Sequence, residues 1–333
     1  MRPTSPESIL RDNRAQAARL AEQVGRARTR KLLTRAQRDL ERRLREATSL
    51  SGPGSGSFTA VQLRATLAQV KDVLRALKSG LASTVLQQGE EAAGQQTAGT
   101  VRYIDAAERL YTGVAPRLPV REAALLDRVR SGTESSVLRR LMSDPADPRS
   151  KGILDRYGEA TVGKFEEALQ LRYLARQPWA QVRDAITDES PFLQQAPASW
   201  AERIVRTETM NASNRAGWES IRQVNADLGD MTKVLMATFD DRTGADSIAV
   251  HGQVRLPEEA FESWFGLYQH PPNRPNDREV VVPQRRSWPL PASRQPRGDG
   301  EVVARWLKEG RKGAPPARPP MSTLPVGTKF GAR

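Results

Sequence analysis

The 333-residue chain contains no cysteine. That excludes disulfides, thiolate metal sites, iron–sulfur clusters and cysteine nucleophiles. It has two histidines, His251 and His270, too few for a three-histidine metal centre. Aromatic residues make up 5% and apolar residues 38%. That is little for one large core, and it points to extended helical parts beside a modest compact unit. No apolar run approaches the ~20 residues of a membrane span. The start of the chain shows no apolar signal-peptide stretch, so cytoplasmic synthesis and no membrane partner are expected.

What the chain has is positive charge, unevenly spread. There are 52 Lys and Arg against 39 Asp and Glu, a net of +13. Residues 1–50 carry +7 and residues 278–333 carry +8, so 51–277 come to −2. Basic ends of this kind suit a polyanion, because clustered cations displace counterions from phosphates. Simple solubilising tails explain them equally well. Arg285, Arg286, Arg294, Arg297, Arg311 and Lys312 are the candidate contacts to double-stranded DNA, which would be bound without regard to base sequence.

Helical periodicity dominates the first two-thirds. A long basic helix is expected over 5–48, with Leu33, Leu40 and Leu44 on one face. The run Ser51–Ser57 reads as a flexible break. Its glycines Gly52, Gly54 and Gly56 follow no strand and precede no Gly-Lys-Ser, which argues against a phosphate-binding loop. A second helix over 59–88 carries Leu63, Leu67, Val70, Leu74, Leu77 and Leu81 in alternating steps of four and three, a helix-packing seam. Residues 89–99 are weakly patterned. Helices resume at 100–111, 120–142 and 150–176, punctuated by Pro116, Pro119, Pro145 and Pro148. Pro178, Pro191 and Pro197 interrupt the next stretch, and a clear helix opens at Pro197 and runs to Asn225.

The character changes near residue 232. Lys233–Phe239 reads as a strand, Asp240–Gly244 as a turn, Glu258–Phe265 as a short helix after Pro257, and Val280–Val282 as a strand ended by Pro283. From Pro289 the chain is rich in Pro and Arg, irregular apart from a short helix at 300–309. No internal repeat is visible. The fold class expected is mostly α with a small α+β domain: an elongated helical N-terminal part, a compact α/β unit and an irregular basic tail. The segments are a basic helix at 1–50, a broken helical region at 51–197, the compact unit at 198–285, and the tail at 286–333. The compact unit is expected to fold alone around Trp200, Trp218 and Phe239. Trp264, Phe261, Phe265 and Tyr268 are read as packing residues, since no basic residue interleaves with them.

Residues 200–283 hold an ordered set of polar motifs. Arg206-Thr207-Glu208-Thr209, Asn211 and Asn214 lie on the long helix. Phe239-Asp240-Asp241-Arg242-Thr243 follows, then His251-Gly252-Gln253-Val254. Pro271-Pro272-Asn273-Arg274-Pro275-Asn276 leads through Asp277 and Arg278 into Val280-Val281-Val282-Pro283. Arg206 and Glu208 are too close in sequence to share a helix face, so each needs a partner elsewhere, and Glu208 with Arg242 is one pairing. Read without a family, these residues are polar ties fixing a helix to a hairpin, with His251-Gly252 closing a turn. The alternative reading makes Asp240, Asp241, Asp246, His251, Asp277 and Glu279 a divalent-cation cluster. Asp241, Asp246 and His251 would be its metal candidates, and a metal-dependent nuclease its activity. Asp in loops is also simply a good turn former, and no cofactor is assigned.

This ordered set, about a quarter of the chain, resembles the phage Mu F-like head morphogenesis family, the minor capsid proteins of tailed phages. Arg206, Glu208, Asn211, Asp241, Arg242, His251, Gly252, Asp277 and Arg278 carry the match. The family usually has cysteines where this chain has Asp246 and Asp277-Arg278-Glu279. The resemblance implies a non-enzymatic role in head assembly. Its partners would be the portal, a scaffold or capsid protein and packaged DNA, its place the host cytoplasm during assembly and then the virion interior. A DNA-binding adaptor without portal affinity is the remaining alternative. The leucine stripes assign protein docking to the helical N-terminal half and DNA contact to the tail.

Overall fold

The computed structural model describes residues 5–49, 58–114, 127, 141, 152–188, 195–275 and 277–322. The break at 51–57, most of the helix expected over 120–142, the prolines Pro116, Pro119, Pro145, Pro148 and Pro191, and the end of the tail lie outside them. The chain is mostly helical, with a small strand-bearing region in its C-terminal part. In order it forms α1 (Pro6–Arg19), a π-turn (Leu20–Val24), α2 (Gly25–Ser49), α3 (Ala60–Thr112), α4 (Ile153–Leu174), α5 (Trp179–Asp188) and α6 (Gln195–Leu228). Then come β1 (Met231–Met236), α7 (Ala245–Val250), β2 (Val254–Arg255), β3 (Phe261–Ser263), β4 (Gly266–Tyr268), β5 (Val280–Arg285) and α8 (Asp299–Lys308). Residues 89–99, too weakly patterned to read, belong to the interior of the 53-residue α3. Pro197 sits in the first turn of α6, where its missing N–H costs nothing.

Two compact units emerge, and neither coincides with a segment read from sequence. One is built from residues 22–88 and 135–206, the other from 1–21, 89–134 and 207–333.

Every element among the described residues of the first unit is a helix. Leu33, Leu40 and Leu44 of α2 and Val70, Leu74, Leu77 and Leu81 of α3 are buried, as the alternating four–three spacing requires. These positions are used within the fold and are not open to dock another protein, which corrects that expectation, while Leu63 and Leu67 near the start of α3 are half-buried. Tyr157 and Phe165 of α4 are also fully buried. Phe58 stacks on Trp179 at 5.3 Å, and Trp200 meets Tyr157 edge-on at 5.2 Å. Glu202 accepts from Arg26 and Arg30, both at 2.9 Å, and Lys78 pairs with Asp155.

The second unit holds the strands. A three-stranded antiparallel sheet has the order β2-β1-β5, with Val234 opposite both Val254 and Val282. All six residues of β1 are buried, which marks a central strand covered on both faces. Pro283 does not end β5; the strand continues to Arg285, opposite Met231. Its position on an edge strand removes the need for a second ladder donor. The helix expected over 258–265 is instead the β3–β4 hairpin, Phe261 opposite Tyr268. The alternation Phe261-in, Glu262-out, Ser263-in is the period-2 signal that a helical reading overlooks.

The core of this unit draws on distant segments. Leu10 and Ala17 of α1 and Tyr103, Ile104 and Ala107 of α3 join Ile221, Val224, Val234, Leu235, Phe261, Val281 and Trp288. Close approach of α1 to α3 rests on Gly99, where a Cβ would fall 1.7 Å from the Asn13 side chain. An excised 198–285 fragment would lack Leu10, Tyr103 and Trp288, so the expectation that it folds alone is corrected. Phe239, expected in the core, is 41% exposed, and Phe265 is 57% exposed. Among the described residues no helix is long and apolar enough to cross a membrane.

Candidate functional site

The ordered motifs converge around the free edge of β5 and the loop after β1. Asn214, one helical turn beyond Met210, is fully engaged. Its Nδ2 donates to the Met210 carbonyl at 3.2 Å and the Glu279 carbonyl at 3.0 Å, and its Oδ1 accepts from the Val281 N–H at 3.0 Å. A primary amide has the donor and the acceptor that a strand edge presents, so Asn214 closes the outer edge of β5 as a neighbouring strand would. Replacing Asn214 by Ala leaves the Val281 N–H and Glu279 carbonyl unpaired. The expected cost is about 1–3 kcal/mol, read as a lower denaturant midpoint. An unchanged midpoint would remove Asn214 from the role of edge closure.

Glu208, buried on α6, accepts from Asn211 Nδ2 at 3.3 Å. Arg206, half-buried, is the last residue of the other unit. In the loop after β1, Asp240 is gripped by Arg278 through two hydrogen bonds of 2.5 Å. These hold its carboxyl well below the usual range. Arg242, expected to reach Glu208, is exposed, with its guanidinium 3.9 Å from Asp240. Thr243 Oγ1 donates to the Thr238 carbonyl, and its oxygen accepts from the Asp240 N–H. Phe239-Asp240-Asp241-Arg242-Thr243 is thus a self-bonded turn.

His251 follows α7. Its Nδ1 accepts the Ala237 N–H at 3.0 Å, so the neutral ring carries its proton on Nε2. Burial, reinforced by Arg297, pushes the imidazole down to about 4. The sign follows: the unfolded chain takes up a proton between pH 6.5 and 4 that the folded chain does not, so stability falls over that interval. Gly252 has φ +83°, and a Cβ there would lie 2.7–2.9 Å from the backbone of Arg294–Pro296. Both the left-handed backbone and the close approach require glycine. Gly252→Ala is expected to cost about 1–2 kcal/mol for the backbone alone, and more through the clash. Thermal unfolding of the variant checks this.

Asp246, Asp277 and Glu279 lie within electrostatic reach of one another around Arg274. Asp241 has a 99% exposed side chain beside Lys308, whereas Asp246 is buried and paired with Arg274. Asp277 accepts from the backbone N–H groups of Asn273 and Glu279, both at 3.3 Å. Tyr268 donates to Glu279 at 3.3 Å. Burial pushes the carboxyls of Asp277 and Glu279 up, Glu279 further because Asp277 lies beside it. Among the described residues no group of three His, Cys, Asp or Glu side chains is arranged to hold a metal ion. The arrangement of Asp241, Asp246 and His251 as joint ligands is corrected accordingly.

Two of the six expected DNA contacts are structural. Arg294 is completely buried, donating to the Pro283 carbonyl, Gln284 Oε1, Glu7 Oε1 and Tyr103 OH at 2.6–3.1 Å. Arg285 pairs with Glu108 and with Asp230, the latter at 2.6 Å. Arg297 covers Phe239 and Arg311 covers Trp306, each with its side chain a little over two-fifths exposed. Arg286 and Lys312 are exposed. Sequence could not separate these six, because charge alone does not say which arginines have buried carbonyls to satisfy.

Comparison with known proteins finds no matching family model, no matching curated protein and no matching solved structure.

Proposed function

We propose that the chain is a minor head protein of a tailed phage, acting in head assembly through protein contacts and touching packaged DNA through exposed basic side chains. The observation that carries the proposal is the joint use of the ordered motif residues as internal ties. Asn214 holds the β5 edge, Arg278 holds Asp240, Arg274 holds Asp246, and His251 holds Ala237. Motif residues spent on shaping one α+β body suit an assembly protein, and the order of those motifs is that of the Mu F-like family. No reaction is assigned. The nuclease alternative draws no support from Asp241 and Asp246, one in solvent and the other locked to an arginine.

Retention of the full chain by the portal protein encoded in the same genome tests the proposal directly. Failure to bind portal, scaffold or capsid protein would overturn it, as would Mg²⁺-dependent cleavage of DNA abolished by Asp241→Ala. For DNA, the expected contact is electrostatic, with each neutralised phosphate adding roughly −0.9 to the slope of log K against log salt. Arg286→Ala with Lys312→Ala should flatten that slope by about 2, leaving the fold intact. Sequence-selective binding that survives high salt would contradict the DNA part of the proposal.

A further inference from the structure

The other edge of the sheet, β2, is also covered, and its cover is the chain's own C-terminal segment. Residues 314–322 read Ala-Pro-Pro-Ala-Arg-Pro-Pro-Met-Ser. Ser322 forms a parallel bridge with Val254, and the Val254 N–H donates to the Met321 carbonyl at 2.8 Å. Arg255 Nη2 donates to the Pro320 carbonyl at 2.5 Å, and Trp264 Nε1 to the Ala317 carbonyl at 3.0 Å. The groove therefore offers three donors, and the segment answers with three carbonyls. Four prolines suit this arrangement, because they bring no N–H that would need a partner. Pro316 and Pro319 stand three apart, the repeat of an extended polyproline turn, and Pro319 is buried. Arg318 supplies the sequence-specific part: it donates to the carbonyls of Ile248, Ala249 and Arg297 and pairs with Asp299 at 3.1 Å.

The receiving side is built rather than incidental. Arg255 is 2% exposed, and its Nε and Nη1 are fixed on the Ala260 and Val254 carbonyls, at 3.2 and 2.9 Å. That aims Nη2 into the groove. Trp264 is held edge-on against Trp306 of α8 at 5.5 Å. The joint between α8 and the segment is exposed, with Gly310 at φ +73° and Gly313 at φ +78°.

We propose that this groove is an acceptor site for an extended proline-containing segment, filled here by residues 314–322 and able to take the same residues from a second copy of the chain. A self-complementary segment on a short glycine joint is the arrangement that permits exchange between copies without any new contact. The inference does not depend on the head-protein proposal.

Shortening the joint decides between the two occupancies. Deleting Arg311-Lys312-Gly313 from the full chain removes about 10 Å of reach, so the segment should fill the groove of another copy. The deletion chain should sediment as a dimer or larger species relative to the parent, and Arg318→Ala in the same background should abolish the shift. A deletion chain that keeps the parent's sedimentation and melting temperature overturns the proposal. So does dimerisation that Arg318→Ala leaves intact. Should the deletion chain fail to fold, a protease site replacing residues 310–313 in the full chain gives the second measurement. After cutting, fluorescein-labelled peptide 314–322 should be taken up, and its Arg318→Ala form roughly tenfold more weakly. The uncut chain should exclude both, because the tethered segment competes at millimolar effective concentration. No uptake after cutting, or global unfolding on cutting, would mean that the segment is a fixed staple rather than an exchangeable occupant.

Discussion

Trp288→Ala is expected to destabilise the strand-bearing unit more than a substitution at any of the three residues that sequence marks as its core. Trp288 is completely buried, edge-on to Tyr103 at 6.0 Å and tilted against Tyr111 at the same distance. Its Nε1 donates to Glu108 Oε1 at 3.0 Å. Truncation opens a cavity among α3, β5 and the loop beyond it and removes a donor from a buried carboxylate. Buried aromatic truncations cost about 3–5 kcal/mol, and the loss of the hydrogen bond adds to the upper end. Phe239→Ala, by contrast, removes a ring that is 41% exposed and should cost about 1 kcal/mol or less. Guanidinium unfolding of both variants makes the comparison. Equal midpoints would mean that the tail segment around Trp288 is not part of the core.

A rise in stability with pH, absent from Lys233→Met, is the second large effect. Lys233 lies in the central strand, fully buried, opposite Arg255. Its Nζ donates to the Gln269 carbonyl and Oε1 at 2.8 and 3.0 Å and sits over Phe261 at 4.8 Å and Trp218 at 5.7 Å. Burial drives the ammonium down from 10.5 to about 7, against the pull of Glu258 and Glu259 and with the push of Arg255 and Arg222. The folded-state value is the lower one, so between pH 7 and 10.5 the unfolded chain binds the extra proton. Stability therefore rises with pH across that window, and the cost of the buried charge is fully present below it. From pH 7 to pH 10 the parent should gain roughly 3–4 kcal/mol relative to Lys233→Met. The difference between the two chains cancels the titration of every other group, so a constant difference would show that Lys233 is not perturbed.

Periodicity exposed the helices because it is local: Leu33, Leu40, Leu44 and Leu74–Leu81 announce their burial by spacing alone. The turn after β1 was equally legible, since Asp, Thr and Gly form turns through their own side chains. What escaped was whatever depends on distant partners. The hairpin at 261–268 carries three-residue strands, too short for alternation to outweigh the helical formers Glu258, Glu259 and Ala260. Arg294 looks like any other tail arginine until Glu7 and Tyr103 are brought to it. Lys233 breaks the apolar pattern of a central strand, and that local violation was the one sign in the sequence of a special site. At the candidate site, the motif order was visible but the partners were not: nothing local in the sequence says that Arg278 grips Asp240 or that Asn214 closes the edge of β5.

Arg294 also has a consequence for how the chain is made. It joins Glu7 across 287 residues and Tyr103 across 191, while α1 and α3 supply one wall of the core around β1. During synthesis, Leu10 and Ala17 emerge first and wait for partners until β5 and Trp288 have left the ribosome. A stretch 287 residues long separates Glu7 from Arg294, and all of it must be translated before the strand-bearing unit can close. Contacts of such separation slow folding through the entropy of loop closure and leave apolar helix faces open in the interval. The unit therefore closes only once Arg294 has been made, and nascent chains stalled before Arg294 should be the species that bind chaperones.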